Sequence, residues 1–558
     1  VSYLILWPEE NEHLFLPHYM VQRSTHPIVM KKALFPALLL IGLACTNFAV
    51  AQSRTSTPDP ALIAAGITAP EMQRHLMVLA SDEMQGRETG TEGQRKAAQY
   101  IADVFSSWQL PTVGDDNSYF QHILFKSESW KRVELTIDGK KYRHLWEYYA
   151  APHLNEDSAS ALSFNEVLFL GYGIDDPNYS DYNGVDVKGK ALLIYDGEPV
   201  NAAGVSYVTG SSERSNWTTE QKLAVAKSKG AALVLIIDSG FKENVAEVRK
   251  ALANTRLQTA KSKRNAQSMA PNCHLSSETA KALLGKQLKK VVRQRDKILK
   301  KGRPSGGNIP VTLEVSLEKE TRELSGHNVL GYVQGSDPQL QHELVVVSAH
   351  FDHLGMRGDA IYYGADDNAS GTSAVLEIAQ AFSDAKQAGL GPRRSVLFLL
   401  VSGEEKGLLG SQYYVEHPVF PLENTIANVN VDMVGRVDAK HADNPHYIYV
   451  IGADRLSTEL HRINENANAT FTKLELDYTY NAKNDPNRYY YRSDHYNFAE
   501  RGIPAVFYFS GTHQDYHRTT DTVDKINFDK MVRIAQLVFH TTWELANRDQ
   551  RIQVDVKK

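Results

Sequence analysis

An α/β fold, a mostly parallel mixed sheet sandwiched by helices, is predicted by three observations. Beyond Ser325 five runs, "ELVVVSAH", "RSVLFLLVSG", "IANVNVDMVG", "YIYVIGA" and "IPAVFYFSG", read as strands. They are near-continuously apolar, as strands buried on both faces are. Helical stretches, Ser370 to Lys386 and Phe528 to Asn547 among them, alternate with these runs, the arrangement that yields a parallel sheet covered on both sides.

Taken in chain order, the elements divide as follows. Residues 1–51 read as an upstream extension and a signal peptide. From Met30 the chain runs "MKKALFPALLLIGLACTNFAVAQS": Lys31 and Lys32 form a positive start, Ala33 to Ala44 an apolar stretch too short to span a bilayer, and Ala49-Val50-Ala51 a small-residue cleavage site. Export to the periplasm or medium is the expectation, with initiation at Met30; attachment of lipid at Cys45 is the second choice, because Gly42 stands where a Leu-like residue is usual. Residues 52–61 are a polar linker. Residues 62–149 open with helix, Gly-rich loop and helix, the second helix striped by Ala97, Ala98, Ile101, Ala102 and Phe105. Residues 150–308 change texture: short apolar runs alternate with Tyr-, Asp- and Gly-rich turns, and "KLAVAKSKGAALVLIID" feeds a helix into a strand through Gly230, which marks a small α/β insert. Its basic run, Lys286 to Arg303, has apolar residues at helical spacing and reads as a charged helix surface. Residues 309–550 hold the strand-rich part described above.

Composition narrows the function classes. With 558 residues, 42% hydrophobic and 23% charged, the chain can bury more than one core. Its formal charge of −5 gives no whole-molecule field that would recruit nucleic acid or an anionic membrane. No long apolar segment follows the signal, so no integral membrane segment is expected after cleavage. The cysteines are Cys45 and Cys273; signal cleavage removes the first and with it any intramolecular disulfide.

Ligands of such sheets gather at the carboxyl ends of the strands, and there the chemistry-bearing residues concentrate. "VVVSAHFDHLG" ends a strand with His350 and Asp352; "GADDNASG" brings Asp366 and Asp367 ahead of a helix; "LVSGEE" brings Glu404 and Glu405; "NVNVDMVG" brings Asp432; "GTHQDYHRTTDT" brings His513 and His517. Singly, each is a cap, a turn former or a hydrogen-bonded filler. Gathered at one sheet edge, so many carboxylates repel one another unless a cation lies among them. Oxygen and nitrogen donors without a usable thiolate suit zinc ahead of manganese or cobalt.

In order and context these residues resemble the co-catalytic di-zinc aminopeptidases, metallopeptidase family 28. The resemblance spans roughly Met72 to Asn547, including "SDEMQGRETGT" and "RSDHYNFAERGIPAVFYFSG", and "FLGYGIDDPNYSDYNGVDVKGKALLIYDGEP" looks like an inserted protease-associated domain. It implies the zinc-dependent exopeptidase (phosphorylase/hydrolase-like) fold and two Zn2+ ions. His350 and Asp432 would hold one ion, Glu405 and His517 the other, and Asp367 would bridge them. Asp352 would orient His350, and Glu404 would be the general base. Tyr516 would donate its hydroxyl to the oxyanion, with packing as its other role. Ser493, Asp494 and His495 would support the site, and His353 would not be a ligand. The family also carries a cis peptide after the bridging Asp. Paired zinc ions lower the pKa of a shared water and stabilise both oxygens of a tetrahedral intermediate. The implied function is an exported zinc exopeptidase that releases N-terminal residues from peptides. Alternatives are a carboxypeptidase or dipeptidase of the same family, a glutaminyl cyclase-like acyltransferase, and a non-catalytic receptor-like binding protein.

Overall fold

The computed structural model describes residues 59–155, 159–253, 257–259 and 268–556. The expected signal segment, its expected cleavage site and Cys45 lie outside the described residues. Among those described, no helix is long and apolar enough to cross a membrane, and Cys273 is a buried free thiol.

Strands Ser395–Val401, Leu344–His350, Thr425–Val431 and Ala505–Phe509 lie side by side in that order, all parallel. Antiparallel neighbours close both flanks: Tyr447–Ile451 beside Ala505–Phe509, and residues 329–333 beside Ser395–Val401. The sheet is therefore mixed, with a parallel centre. Successive side chains of a strand point to opposite faces, and here both faces are covered. Val345, Val347, Ala349, Val396, Phe398 and Leu400 join the core shared with helices Gly371–Gln387 and Phe528–Asn547. Leu344, Val346, Leu397, Leu399 and Val401 pack on the other side with Tyr414, Val415, Phe498 and Ile503. Double burial is why these strands read as apolar runs, and each such side chain contributes about 1.5–3 kcal/mol. Phe382 ties the first layer together, its ring 5.9 Å from Phe398, 5.1 Å from Phe539 and 5.4 Å from Trp543.

Two long strands lead out of this sheet. Phe120–Ile137 and Gly306–Val333 pair antiparallel from Phe120 opposite Val329 to Ile137 opposite Leu313. The far end of Gly306–Val333 also pairs with Ala159–Leu170, from which the sheet continues through Ala191–Tyr195, Leu233–Ile237 and Asn272–Leu275 to Tyr148–Tyr149. This second part has its own core, to which Leu135 and Ile137 on one side and Leu313 and Val315 on the other contribute beside Val167, Phe169, Leu193 and Leu235. The 150–308 segment is thus rooted on a ribbon whose strands enter its core. Within it, helix Leu288–Lys301 buries Val291 and Ile298 and leaves its lysines exposed.

One polar cluster stabilises the insert. Asp238, directly after Leu233–Ile237, accepts hydrogen bonds from the Tyr149 hydroxyl at 2.6 Å, Asn244 Nδ2 at 3.0 Å and the Gly240 amide at 2.9 Å, with His274 Nδ1 3.7 Å away. Burial alone would raise this carboxyl, but its bonds with His274, Tyr149 and Asn244 outweigh burial and bring it down to about 2 from 3.8. A depressed carboxyl adds stability above its unfolded pKa and loses it as pH falls through the folded one. Asp238→Asn is therefore expected to destabilise the protein at pH 7, with the gap to wild type closing as pH drops from about 4 toward about 2. Denaturant midpoints over that range check it; a pH-independent gap would mean that the charge plays no part.

Candidate metal centre

All the expected ligand-bearing segments meet at the carboxyl edge of the four parallel strands. His350 is the last residue of its strand and 1% exposed. Its Nε2 lies 3.2 Å from Asp432 Oδ1, 3.5 Å from Asp367 Oδ1 and 3.9 Å from Glu404 Oε2. Asp432 follows Thr425–Val431 immediately. His517 Nε2, from the turn beyond Ala505–Phe509, stands 3.1 Å from Asp367 Oδ2 and 3.4 Å from Glu405 Oε1. The two oxygens of Asp367 therefore face different imidazoles, Oδ1 toward His350 and Oδ2 toward His517, the disposition a bridging carboxylate needs.

Metal-competent donors fall into two groups. His350, Glu404 and Asp432 present one donor atom each, all within 4.8 Å of one another, and His353, Asp367 and Glu405 do the same. These groups differ from the expected ligand sets: each has one added member, and His517 is not in the second. Glu404 stands with the first pair, and His353, expected to stay outside, stands with the second: its Nδ1 is 2.9 Å from Glu405 Oε1 and 3.7 Å from Asp367 Oδ2. The donors suit zinc, being imidazole nitrogens and carboxylate oxygens. Asp367 Oδ2 is buried and lacks a well-formed hydrogen bond, as a lone pair reserved for a cation does. Two divalent ions would be held by His350 and Asp432, by Glu405 and His517, and by Asp367 between them.

Local folding explains the placement. Asp367 lies in the segment Ala365–Ser370 that enters helix Gly371–Gln387, and its peptide bond to Asn368 is cis. Asp521 fixes this segment: its Oδ2 accepts the amides of Asp366 at 3.0 Å and Asp367 at 3.2 Å. Asn368 Oδ1 accepts the amides of Gly371 and Met433, tying the segment to the strand end that carries Asp432. Asp432 is held in turn. Ser493 donates to its Oδ2 at 2.7 Å, Asn430 Nδ2 donates to Ser493, and Ser348 donates to Asn430 Oδ1. Asp494 accepts from Ser411 at 2.5 Å and is raised to about 7, mainly by burial. His495 is fully buried within this segment and is lowered to about 3, again by burial.

The second partner of His350 differs from expectation. Its Nδ1 is 3.1 Å from the backbone carbonyl of Asp352, while the Asp352 carboxylate is 3.8 Å away. That carboxylate is engaged elsewhere: Oδ2 accepts the Thr89 hydroxyl at 2.7 Å and Oδ1 the Glu404 amide at 3.2 Å. Asp352 thus positions His350 through its main chain and the Glu404–Glu405 turn through its side chain.

Electrostatics separate the paired glutamates. Burial, with Glu405 and Asp432 nearby, outweighs His350 and raises the Glu404 carboxyl well above the usual range. Burial would raise Glu405 too, but bonds to His353 and His517 bring it well below. Both open on a small cleft of about 40 Å³ whose wall includes Tyr489, Arg492, Phe507, Phe509 and Tyr516. The Tyr516 ring stacks on His517 at 3.8 Å and its hydroxyl is 3.4 Å from Arg492 Nη2. Burial and the nearby carboxylates of Asp367, Glu405 and Glu404 raise its phenol, so it remains a donor.

Arg87, Thr89, Asp521 and the contact made by His353 carry no assignment in the sequence reading. Arg87 and Asp521 do lie in recognisable stretches, "MQGRETGT" and "HRTTDT", but a charged residue in a turn reads as solvated until its neighbours are known.

Comparisons with known proteins agree with this geometry. Residues 328–542 match the model of Peptidase family M28. A "Probable leucine aminopeptidase" of Arthroderma otae is 34% identical over 216 residues, 38% of this chain and 56% of the relative. "Aminopeptidase YwaD" of Bacillus subtilis is 26% identical over 216 residues, 38% of this chain and 42% of the relative. The chain spans about half the length of the curated relatives it matches. In fold it is similar to the aminopeptidase from Aneurinibacillus sp. strain AM-1, with a TM-score of 0.50, 20% identity, and coverage of 90% of this chain and 99% of that one. His350, Asp367, Glu404, Glu405, Asp432 and His517 all lie within the residues, 328–542, that match the model of that family.

Proposed function

We propose that the protein is an exported zinc-dependent exopeptidase, an aminopeptidase that releases N-terminal residues from peptides. The observation that carries this reading is the convergence of two donor clusters, joined by Asp367, on one cleft that Glu404 also lines. Zinc ions, when bound, supply Lewis acidity toward the scissile carbonyl and lower the pKa of a water. Glu404 takes the proton of the attacking water and passes it to the leaving amine nitrogen. Tyr516 donates its hydroxyl to the carbonyl oxygen as that oxygen gains charge. Phe507, Phe509 and Tyr489 give the cleft an apolar wall suited to an uncharged first side chain. The names of the curated relatives point the same way. The 150–308 insert is a protease-associated domain that acts as a rim restricting access. Its place on the ribbon beside the catalytic sheet supports this.

Hydrolysis of a leucine or alanine anilide, lost on chelation and restored by zinc, is the expected result. Peptides blocked at one end or the other set polarity: an N-acetylated peptide resists cleavage and a C-amidated one does not, and the reverse pattern would make the enzyme a carboxypeptidase. Export is supported by Lys31-Lys32, the apolar stretch and Ala49-Val50-Ala51. N-terminal sequencing of mature protein from the periplasm or medium is expected to begin at Gln52; material confined to the cytoplasm would overturn that part.

A further inference from the structure

We propose that His353 is a positioning residue for the second metal ion: it holds the Glu405 carboxylate in the orientation that ion requires without ligating it. The inference rests on the reading of the two clusters as metal sites. Its basis is one short contact with a fixed direction. His353 is fully buried, and its Nδ1 is 2.9 Å from Glu405 Oε1. A carboxylate only accepts, so Nδ1 carries the proton and the imidazole donates. This contact is shorter than those the ligand imidazoles make with carboxylates, 3.2 Å from His350 Nε2 to Asp432 and 3.1 Å from His517 Nε2 to Asp367. Glu405 Oε1 also faces His517 Nε2 at 3.4 Å, so the oxygen His353 grips is the one turned to the ligand imidazole.

The ring is held from three sides. Its own amide donates to the Arg87 carbonyl at 3.2 Å. Gly364, at φ +55°, lies against it so closely that an added Cβ would come within 2.5 Å of the ring. The His517 ring lies 5.9 Å away across the site. Its remaining nitrogen, Nε2, is buried and makes no hydrogen bond, so nothing competes for the ring's orientation. Partners that orient a ligand typically alter metal affinity by about 10–100-fold when removed.

The test is zinc titration by calorimetry into the full-length protein stripped with a chelator. Wild type is expected to take two ions. His353→Phe keeps a ring against Gly364 and lacks the donor; it is expected to take two ions still, one of them about 10–100-fold more weakly. His353→Asn, whose side-chain amide restores an N–H at similar reach, is expected to recover most of that loss. His353→Leu repeats the comparison should the Phe variant fail to fold. Two ions bound with unchanged affinity in the Phe or Leu variant would overturn the proposal. A stoichiometry of one, not recovered by Asn, would also overturn it, by making His353 a ligand. Wild type that takes no zinc would instead sink the metal-site reading beneath it.

Discussion

Glu404→Gln is expected to lower kcat by about 10²–10⁴, equivalent to about 2.7–5.5 kcal/mol of transition-state stabilisation, while KM and the two-zinc stoichiometry stay near wild type. The substitution keeps the size and the hydrogen-bonding reach of the side chain and removes its ability to carry a proton. The carboxyl is set apart from its neighbour by environment alone. Desolvation beside Glu405 and Asp432 raises the Glu404 carboxyl, while bonds to His353 and His517 lower that of Glu405. Equal falls in kcat and kcat/KM mark an interaction made only in the transition state. Glu404 also stands within the first donor group, with Oε2 3.9 Å from His350 Nε2. Zinc content separates the two roles: a folded variant that has lost one ion would make Glu404 a ligand, and a variant with full activity would remove it as the base.

Arg87→Leu is expected to destabilise the folded protein by about 3–5 kcal/mol, read from the urea midpoint and slope, and to reduce activity through the site's geometry. The Arg87 side chain makes four hydrogen bonds to main-chain carbonyls around the site. Its guanidinium donates to the carbonyls of Phe351 at 2.7 Å and of Tyr363 and Gly364 at 2.9 Å each, and also to that of Leu79. These carbonyls come from the helix before the Gly-rich loop, the strand end beyond His350, and the segment leading to Asp367. Burial pushes the guanidinium down to about 10, against the pull of Asp367, Asp352, Asp521 and Glu405. It therefore stays charged at neutral pH and offsets part of the acidic surplus of the site. Leucine fills the space but takes the guanidinium donor from four carbonyls, of which only that of Gly364 keeps a second donor, the Ala369 amide, among the bonds described. Arg87→Lys is expected to fall between, since one ammonium cannot span three segments. A leucine variant as stable as wild type would show that water or a shifted loop takes over the bonds.

How much was legible in the sequence depended on whether a side chain's role is local. Strands buried on both faces announce themselves as runs of Val, Leu and Ile, and the ends of those runs located His350, Glu404, Glu405 and Asp432. Ser348, Asn428 and Asn430 interrupt two of these strands, and pattern alone gave no reason for them. The structure shows Ser348, Asn430 and Ser493 in a hydrogen-bonded chain that ends on Asp432. The same limit applies to Asp352. The family resemblance implied that it orients His350, but backbone direction past the strand end turned its carboxylate to Thr89 and the Glu404 amide instead.

The sequence by itself determined the α/β architecture and an inventory of acids and imidazoles at strand ends fit for a divalent cation. Those follow from composition, periodicity and strand-end position, which are properties of short stretches. Only the tertiary structure decided which oxygen of Asp367 faces which imidazole, that His353 grips Glu405, and that Arg87 and Asp521 fix the loops behind the site. Such contacts join residues tens to hundreds of positions apart, and their geometry is set by how the sheet packs rather than by any local pattern.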